Sequence, residues 1–205
     1  SKRRFFYSRV MPRGSDQVYI VEQKLSLLRA IDLTPPQDPL VLPWSLDDIA
    51  PLKALVGQYE DFALAKTRVI LSPTHRREHR RWPKNHFSVL ADYLSRNWSA
   101  TVTWLWGPGE EAFIDEIQES CEEPTIKAPK TSIKEMAALI ANHDVFVGNS
   151  NGPSHVAVAT NICSLQLHGH TIGASWCPAN DRHQYIQSPM NRENLEFCMP
   201  FITVP

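Results

Sequence analysis

The sequence has no apolar run near the roughly 18 residues that a membrane-spanning helix needs. Its basic opening, Ser1-Lys2-Arg3-Arg4, is not followed by a leader-type apolar core. Neither a spanning helix nor a secretory leader is therefore expected. Paired cysteines are missing as well: Cys121, Cys163, Cys177 and Cys198 stand far apart, with no C-x-x-C pair and no zinc-type spacing. Free thiols in a reducing, cytoplasmic compartment are the expectation. There is no excess of either charge, and a formal net charge of −1 argues against a dedicated nucleic-acid binder. Two phosphate-binding signatures are also absent. No G-x-x-x-x-G-K-[ST] loop occurs, and Gly107-Pro108-Gly109-Glu110-Glu111 does not have the G-x-G-x-x-G spacing. The chain opens at Ser1 without Met, which reads as a processed product or an expressed fragment.

What is present is enough apolar residue, 42% of 205, for one sizeable core or one core plus an appendage. Residues 1–14 are basic and aromatic (Lys2, Arg3, Arg4, Phe5, Phe6, Tyr7, Arg9, Arg13) and show no period. They read as a solvated segment, or as a patch facing an anionic acceptor or a membrane surface. Val21, Leu25 and Leu28 at helical spacing predict a helix of about fifteen residues, capped by Asp16 and ending near Asp32. Thr34-Pro-Pro-Gln-Asp-Pro-Leu-Val-Leu-Pro-Trp44 follows and can be only a linker or extended crossover. Leu46 to Phe62 is weakly helical.

From Arg68 a regular alternation begins. Strands are predicted at Arg68–Ser72, Thr101–Trp106, Thr125–Ala128, Asp144–Val147 and Ile162–Leu167. Between them lie a helix opened by Pro83 with the stripe Phe87, Leu90, Ala91, Leu94, and a helix Glu110–Ser120 with Phe113, Ile114 and Ile117 inward. Next comes a helix with the capping box Ser132–Glu135 and with Ile133, Met136, Ala137 and Ile140 on one face, and then a helix Pro153–Thr160. Alternation of this kind predicts an α/β, doubly wound, Rossmann-like parallel sheet, preceded by a short helical and linker segment.

Three loops at strand ends would share one rim of such a sheet: T-H-R-R-E-H-R-R-W-P, G-P-G-E-E and N-S-N-G-P-S-H. The first supplies Arg76, Arg77, Arg80 and Arg81, the second Glu110 and Glu111, and the third the amino end of a helix at Gly152, with oriented N–H groups. This set suits a nucleotide diphosphate, with arginine and helix on the phosphates and glutamate on ribose hydroxyls. Plain alternatives remain at each point: solvated arginines, a βα turn whose glycine is there for steric reasons, and a metal pair at His75 and His79 that lacks a third ligand.

Arg80 to Ala91 (R-R-W-P-x-x-H-F-x-x-L-A), Trp104 to Glu111 (W-L-W-G-P-G-E-E), Val145 to Ala157 (V-F-V-G-N-S-N-G-P-S-H-V-A) and Leu167 to Thr171 (L-H-G-H-T) stand in an informative order. Together they resemble the C-terminal, nucleotide-sugar-binding half of a heptosyltransferase of glycosyltransferase family 9. The resemblance is good over residues 66–175. It implies a GT-B fold of two facing Rossmann-like domains, with residues 67–205 as the donor-binding domain and 1–66 as a remnant of the other plus the connection. The implied activity is inverting transfer of a sugar from a nucleotide-sugar donor, an ADP-heptose, to a lipid-linked lipopolysaccharide core acceptor. It would take place in the cytoplasm, at the inner face of the inner membrane, with no cofactor and no metal.

Carried over by position, the donor-binding residues implied are Arg80, Glu110 (or Glu111), Ser150, Asn151, Gly152, Pro153 and His155. Arg80 takes the place of the family's lysine. The family's Asn-Asp-Ser/Thr-Gly-Pro-x-His becomes Asn149-Ser150-Asn151-Gly152-Pro153-Ser154-His155, so a carboxylate is replaced by Ser150. Gly169-His170-Thr171 stands where the family has Gly-Pro-Thr. No catalytic residue is assigned, because the implied general base is an Asp of the other domain. Taken alone the chain is expected to bind nucleotide and transfer no sugar. The rival reading is a catalytically silent nucleotide-binding or scaffold module.

Overall fold

The side chains of β1 (Thr67–Ser72) settle the architecture. In the computed structural model, which describes residues 8–12, 14–169 and 171–188, Val69 and Leu71 join one hydrophobic cluster and Ile70 another, and all three are fully buried. A strand apolar on both faces needs helices on both. The chain reaches β1 through α1 (Ile20–Leu25), a 3-10 turn (Ser26–Ile31), the proline-rich run, a second turn (Leu46–Ile49), α2 (Ala50–Gln58) and α3 (Glu60–Leu64). After β1 come α4 (Lys84–Trp98), β2 (Ala100–Trp104), α5 (Glu111–Glu119), β3 (Ile126–Lys127), α6 (Ile133–Ala141) and β4 (Val145–Asn149). The described chain finishes with α7 (Gly152–Ala159), β5 (Cys163–His168), α8 (Gly173–Trp176) and β6 (His183–Gln187).

The strands lie in the order β3-β2-β1-β4-β5-β6 and every pairing is parallel. The chain winds outward from β1 in one direction and from β4 in the other, so a crevice opens where their carboxyl ends part. On one face Phe87 of α4 and Ile114 and Ile117 of α5 pack against Val69, Leu71, Val102 and Trp104. On the other, Leu55 of α2, Phe62 of α3, Ile140 of α6 and Ala157 of α7 cover Ile70 and Phe146. Each fully buried side chain of this size contributes on the order of 1.5–3 kcal/mol. No helix among the described residues is long and apolar enough to cross a membrane.

Three expectations change. The helix of about fifteen residues is instead the six-residue α1 and a six-residue 3-10 turn. None of their residues is buried, so no packed stripe sustains an α-helix. Asp16 does not cap it; Tyr19 occupies that position, and the Asp16 carbonyl accepts a hydrogen bond from Ser175 Oγ. Ile133, expected on one face with Ala137 and Ile140, is 67% exposed while those two are buried. A sixth strand, β6, extends the edge; its polar sequence, His183-Gln184-Tyr185-Ile186-Gln187, carries no apolar run that would announce it. The capping box of α6 is present, with Ser132 Oγ accepting from Glu135 N and Glu135 accepting from Ser132 N. Residues 1–7, Arg13, His170 and Cys198 lie outside the described residues.

Candidate donor site at the β1 and β4 loops

Close approach of β4 to β1 brings the two loops together. A Cβ on Gly148 would lie 2.8 Å from both the Cβ and the carbonyl oxygen of Ser72, so only glycine fits there without movement. The next residue, Asn149, is fully buried: its Oδ1 accepts from Trp82 N at 3.0 Å and its Nδ2 donates to the Pro73 carbonyl at 2.7 Å. Asn151 repeats the device, donating to the Thr74 carbonyl at 2.8 Å and to Ser72 Oγ at 2.9 Å. Its Oδ1 caps α7 by accepting from Ser154 N at 3.2 Å. Two amide side chains thus tie the β4 loop to the β1 loop, because a buried backbone donor or acceptor must find a partner.

This cap amends the sequence reading of the helix terminus. The helix begins at Gly152, one residue before Pro153, and the N–H of Ser154 is taken by Asn151. The positive end of the α7 dipole still faces the loop. Among the described residues a Cβ on Gly152 would meet nothing within 4 Å, so no packing between them explains a glycine there.

Arg80 closes a 3-10 turn (Glu78–Arg80). Arg76 and Arg77 are exposed, whereas Arg80 is half-buried and its Nε is shut off from solvent without a hydrogen-bond partner among the described residues. Burial, then the charge of Arg77, pushes its guanidinium below the usual value. A cation so placed is costly until an anion joins it.

His155 stacks on Tyr19 and lies tilted against Trp176, with ring centroids 6.4 and 5.8 Å away. Burial lowers its pKa, so the ring is neutral at pH 7. Beneath it His168 is fully buried, its Nε2 3.2 Å from Gln166 Oε1 and its Nδ1 3.1 Å from Thr171 Oγ1. Burial first, then His155, takes His168 down to about 4.

Two cavities open on this junction. One, about 350 Å³, is lined by Arg76, Arg77, Arg80, Ser150, Asn151, Gly152, His155, Thr171 and Trp176, together with His75. Its neighbour, about 280 Å³, shares His75, Arg76 and Asn151 with it and adds Leu105, Trp106, Glu110, Lys130, Ile133, Met136 and Pro153. All seven expected donor-site residues therefore line one or both. Of the two glutamates, Glu110 lines the second cavity and accepts from Gly107 N at 2.9 Å, while exposed Glu111 pairs with Lys127 at 3.1 Å. Trp176 and Tyr19 were missed, since no period or motif marks them. His79 is exposed on the 3-10 turn and His75 Nδ1 accepts from Arg77 N at 2.9 Å, and among the described residues no three His, Cys, Asp or Glu gather. A wider groove of about 880 Å³, between α1, the proline-rich run and the far end of α7, holds none of the expected residues.

The family model described as glycosyltransferase family 9 (heptosyltransferase) matches residues 2–199. The chain is 28% identical over 165 residues to lipopolysaccharide heptosyltransferase 3 of Escherichia coli, covering 78% of this chain and 47% of that protein. It thus spans less than half of that relative's length. In fold it is similar to a family 9 glycosyl transferase of Veillonella parvula, with a TM-score of 0.82 at 15% identity over 98% of this chain and 61% of that one. It is also similar to the E. coli heptosyltransferase WaaC solved with ADP, with a TM-score of 0.65 at 19% identity over 96% and 57%. A single family model thus takes in the loops of both cavities and the sheet that presents them, and the chain belongs to glycosyltransferase family 9, the heptosyltransferases.

Proposed function

We propose that the joined cavities bind a nucleotide-sugar donor, an ADP-sugar, and that the chain serves the transfer of a heptose to a lipid-linked lipopolysaccharide core acceptor with inversion. The observation that carries this reading is Arg80, a half-buried cation whose Nε has no partner and which lines the same cavity as the amino end of α7. The diphosphate would lie there, the base against Trp106, Leu105 and Met136, and the ribose hydroxyls against Glu110. In the displacement an acceptor hydroxyl attacks the anomeric carbon from the face opposite the diphosphate, whose bond to that carbon breaks. Arg80 and the α7 dipole would then neutralise the charge that develops on the leaving group, which is how transfer could proceed without a metal. The hydroxyl proton goes to a general base that we assign to the other domain of the complete enzyme; the donor domain is then residues 67–205 together with α2 and α3, whose Leu55 and Phe62 pack into its core. A lipid-linked acceptor places the reaction in the cytoplasm, at the inner face of the inner membrane.

Calorimetric titration with ADP, UDP and GDP tests the binding: ADP should bind most tightly, and Gly152→Val, which has room, should weaken it with the fold intact. Absence of binding to all three would overturn the reading. Ser150, a hydroxyl where the family has a carboxylate, favours a second reading, a nucleotide-binding module without transfer activity. Full-length protein incubated with ADP-heptose and a heptose-deficient lipid acceptor, followed by mass spectrometry, separates the two. ADP binding without product would select the module.

A further inference from the structure

No residue of α1 is buried, yet Tyr19, immediately before it, is only 7% exposed. Its ring lies at 28° to that of His155, and its hydroxyl is 3.5 Å from His155 Nδ1. Trp176 packs on the imidazole as well, tilted by 56°. Among the described residues His155 Nε2 makes no hydrogen bond, and the ring lines the cavity that also holds Arg76, Arg77 and Arg80.

We propose that Tyr19 is a positioning residue of the donor site: by donating its hydroxyl proton to Nδ1 it holds His155 as the Nε2–H tautomer, ready to donate to a diphosphate oxygen. The inference deepens the nucleotide reading above and rests on it. A neutral imidazole has one N–H, so an acceptor role at Nδ1 and a donor role at Nε2 are one choice. The opposite tautomer would turn a lone pair toward the phosphates. Burial lifts the Tyr19 phenol to about 12, so its proton remains available at any physiological pH. With phenylalanine in its place Nδ1 has no partner in either tautomer, so the preference for Nε2–H that the hydroxyl imposes is lost. The segment ahead of the proline-rich run thereby becomes part of the binding unit.

The test uses Tyr19→Phe, which keeps the ring stack, His155→Ala and the double variant, all in the whole chain. Long-range ¹H–¹⁵N spectra of histidine-labelled protein report the tautomer directly. His155 should be Nε2–H in the unaltered chain, with or without ADP, and shift toward Nδ1–H in Tyr19→Phe. ADP affinity should fall about threefold to tenfold in Tyr19→Phe and show no further loss when that change is added to His155→Ala. An unchanged tautomer, or losses that simply add, would overturn the proposal. If the unaltered chain bound no ADP, the nucleotide reading would fall, and the tautomer shift in the ligand-free chain would still decide the role of Tyr19.

Discussion

Residues 20–46 and the strands and helices from β1 onward are both rich in leucine, isoleucine and valine, and they use them in opposite ways. In the sheet unit Val69, Ile70, Leu71, Ile114 and Ile140 are wholly buried. In the leading segment Leu27, Ile31, Leu33, Val41 and Leu46 are all more than half exposed. The division does not fall at β1, because Leu55 and Phe62 of α2 and α3 are core residues. Apolar residues are buried where an opposing surface exists and remain outside where none does. Just ahead of that segment, Tyr19 anchors it to the site through His155.

If the sheet unit is the close-packed part, Gly148→Val should have the largest effect. Its side chain would collide with the backbone of Ser72, and no other rotamer relieves a clash at Cβ. We expect little or no folded protein, measured by circular dichroism and urea unfolding; a stable variant would show that β1 and β4 part easily. Acid comes next. Burial lowers both His143 and His168 to about 4, against 6.5 for an unfolded histidine. The unfolded chain therefore takes up protons that the native chain refuses. The stabilisation is complete above pH 6.5 and is lost as pH falls toward 4. Each histidine contributes a slope of up to about 1.4 kcal/mol per pH unit, approached only well below pH 6.5, so stability should fall by about 2 kcal/mol between pH 6 and 5. Urea midpoints across that range check it, and His168→Gln should make the decline shallower.

Much of this unit could be read from the residues. The stripe Phe87, Leu90, Ala91, Leu94, the box Ser132–Glu135 and the Asn-Gly-Pro start of α7 are local signals, and each sits where local physics puts it. What escaped depends on contacts between distant residues. Asn151 looks like a departure from the family's hydroxyl until its amide is seen linking α7 to Ser72 and Thr74. Nothing within Arg76-Arg77-Glu78-His79-Arg80-Arg81 separates one arginine from another by charge; burial of the Arg80 Nε does. The edge strand β6 escaped for want of apolar residues, and the contact of Tyr19 with His155 crosses 136 positions.

The arginines sharpen the comparison at the site itself. Arg80→Ala should weaken ADP binding roughly tenfold to a hundredfold, the equivalent of ~1.5–3 kcal/mol for a charge-assisted contact. Arg76→Ala and Arg77→Ala should each cost less than about threefold, since exposed charges are screened. Removing a half-buried cation that has no partner at Nε should leave the urea midpoint unchanged or slightly raised. Equal losses from all three would mean a diffuse basic surface rather than a built anion site.

The smallest effect is expected from the leading segment. Leu27 is 56% and Ile31 62% exposed, on a turn with no buried residue, so each to serine removes little area from the folded state that water does not already reach. Such changes usually stay within about 0.5 kcal/mol. Phe62→Ala, five positions before Thr67, opens the core beneath Ile70 and should cost about 3–5 kcal/mol. Urea unfolding of the three variants side by side reads the difference. If Leu27→Ser or Ile31→Ser approached the loss at Phe62, these side chains would be covered in solution, and sedimentation of the unaltered chain would then show self-association. If both stay near zero while Tyr19→Phe still weakens ADP binding, the leading segment matters to the site through one residue and not through its apolar face.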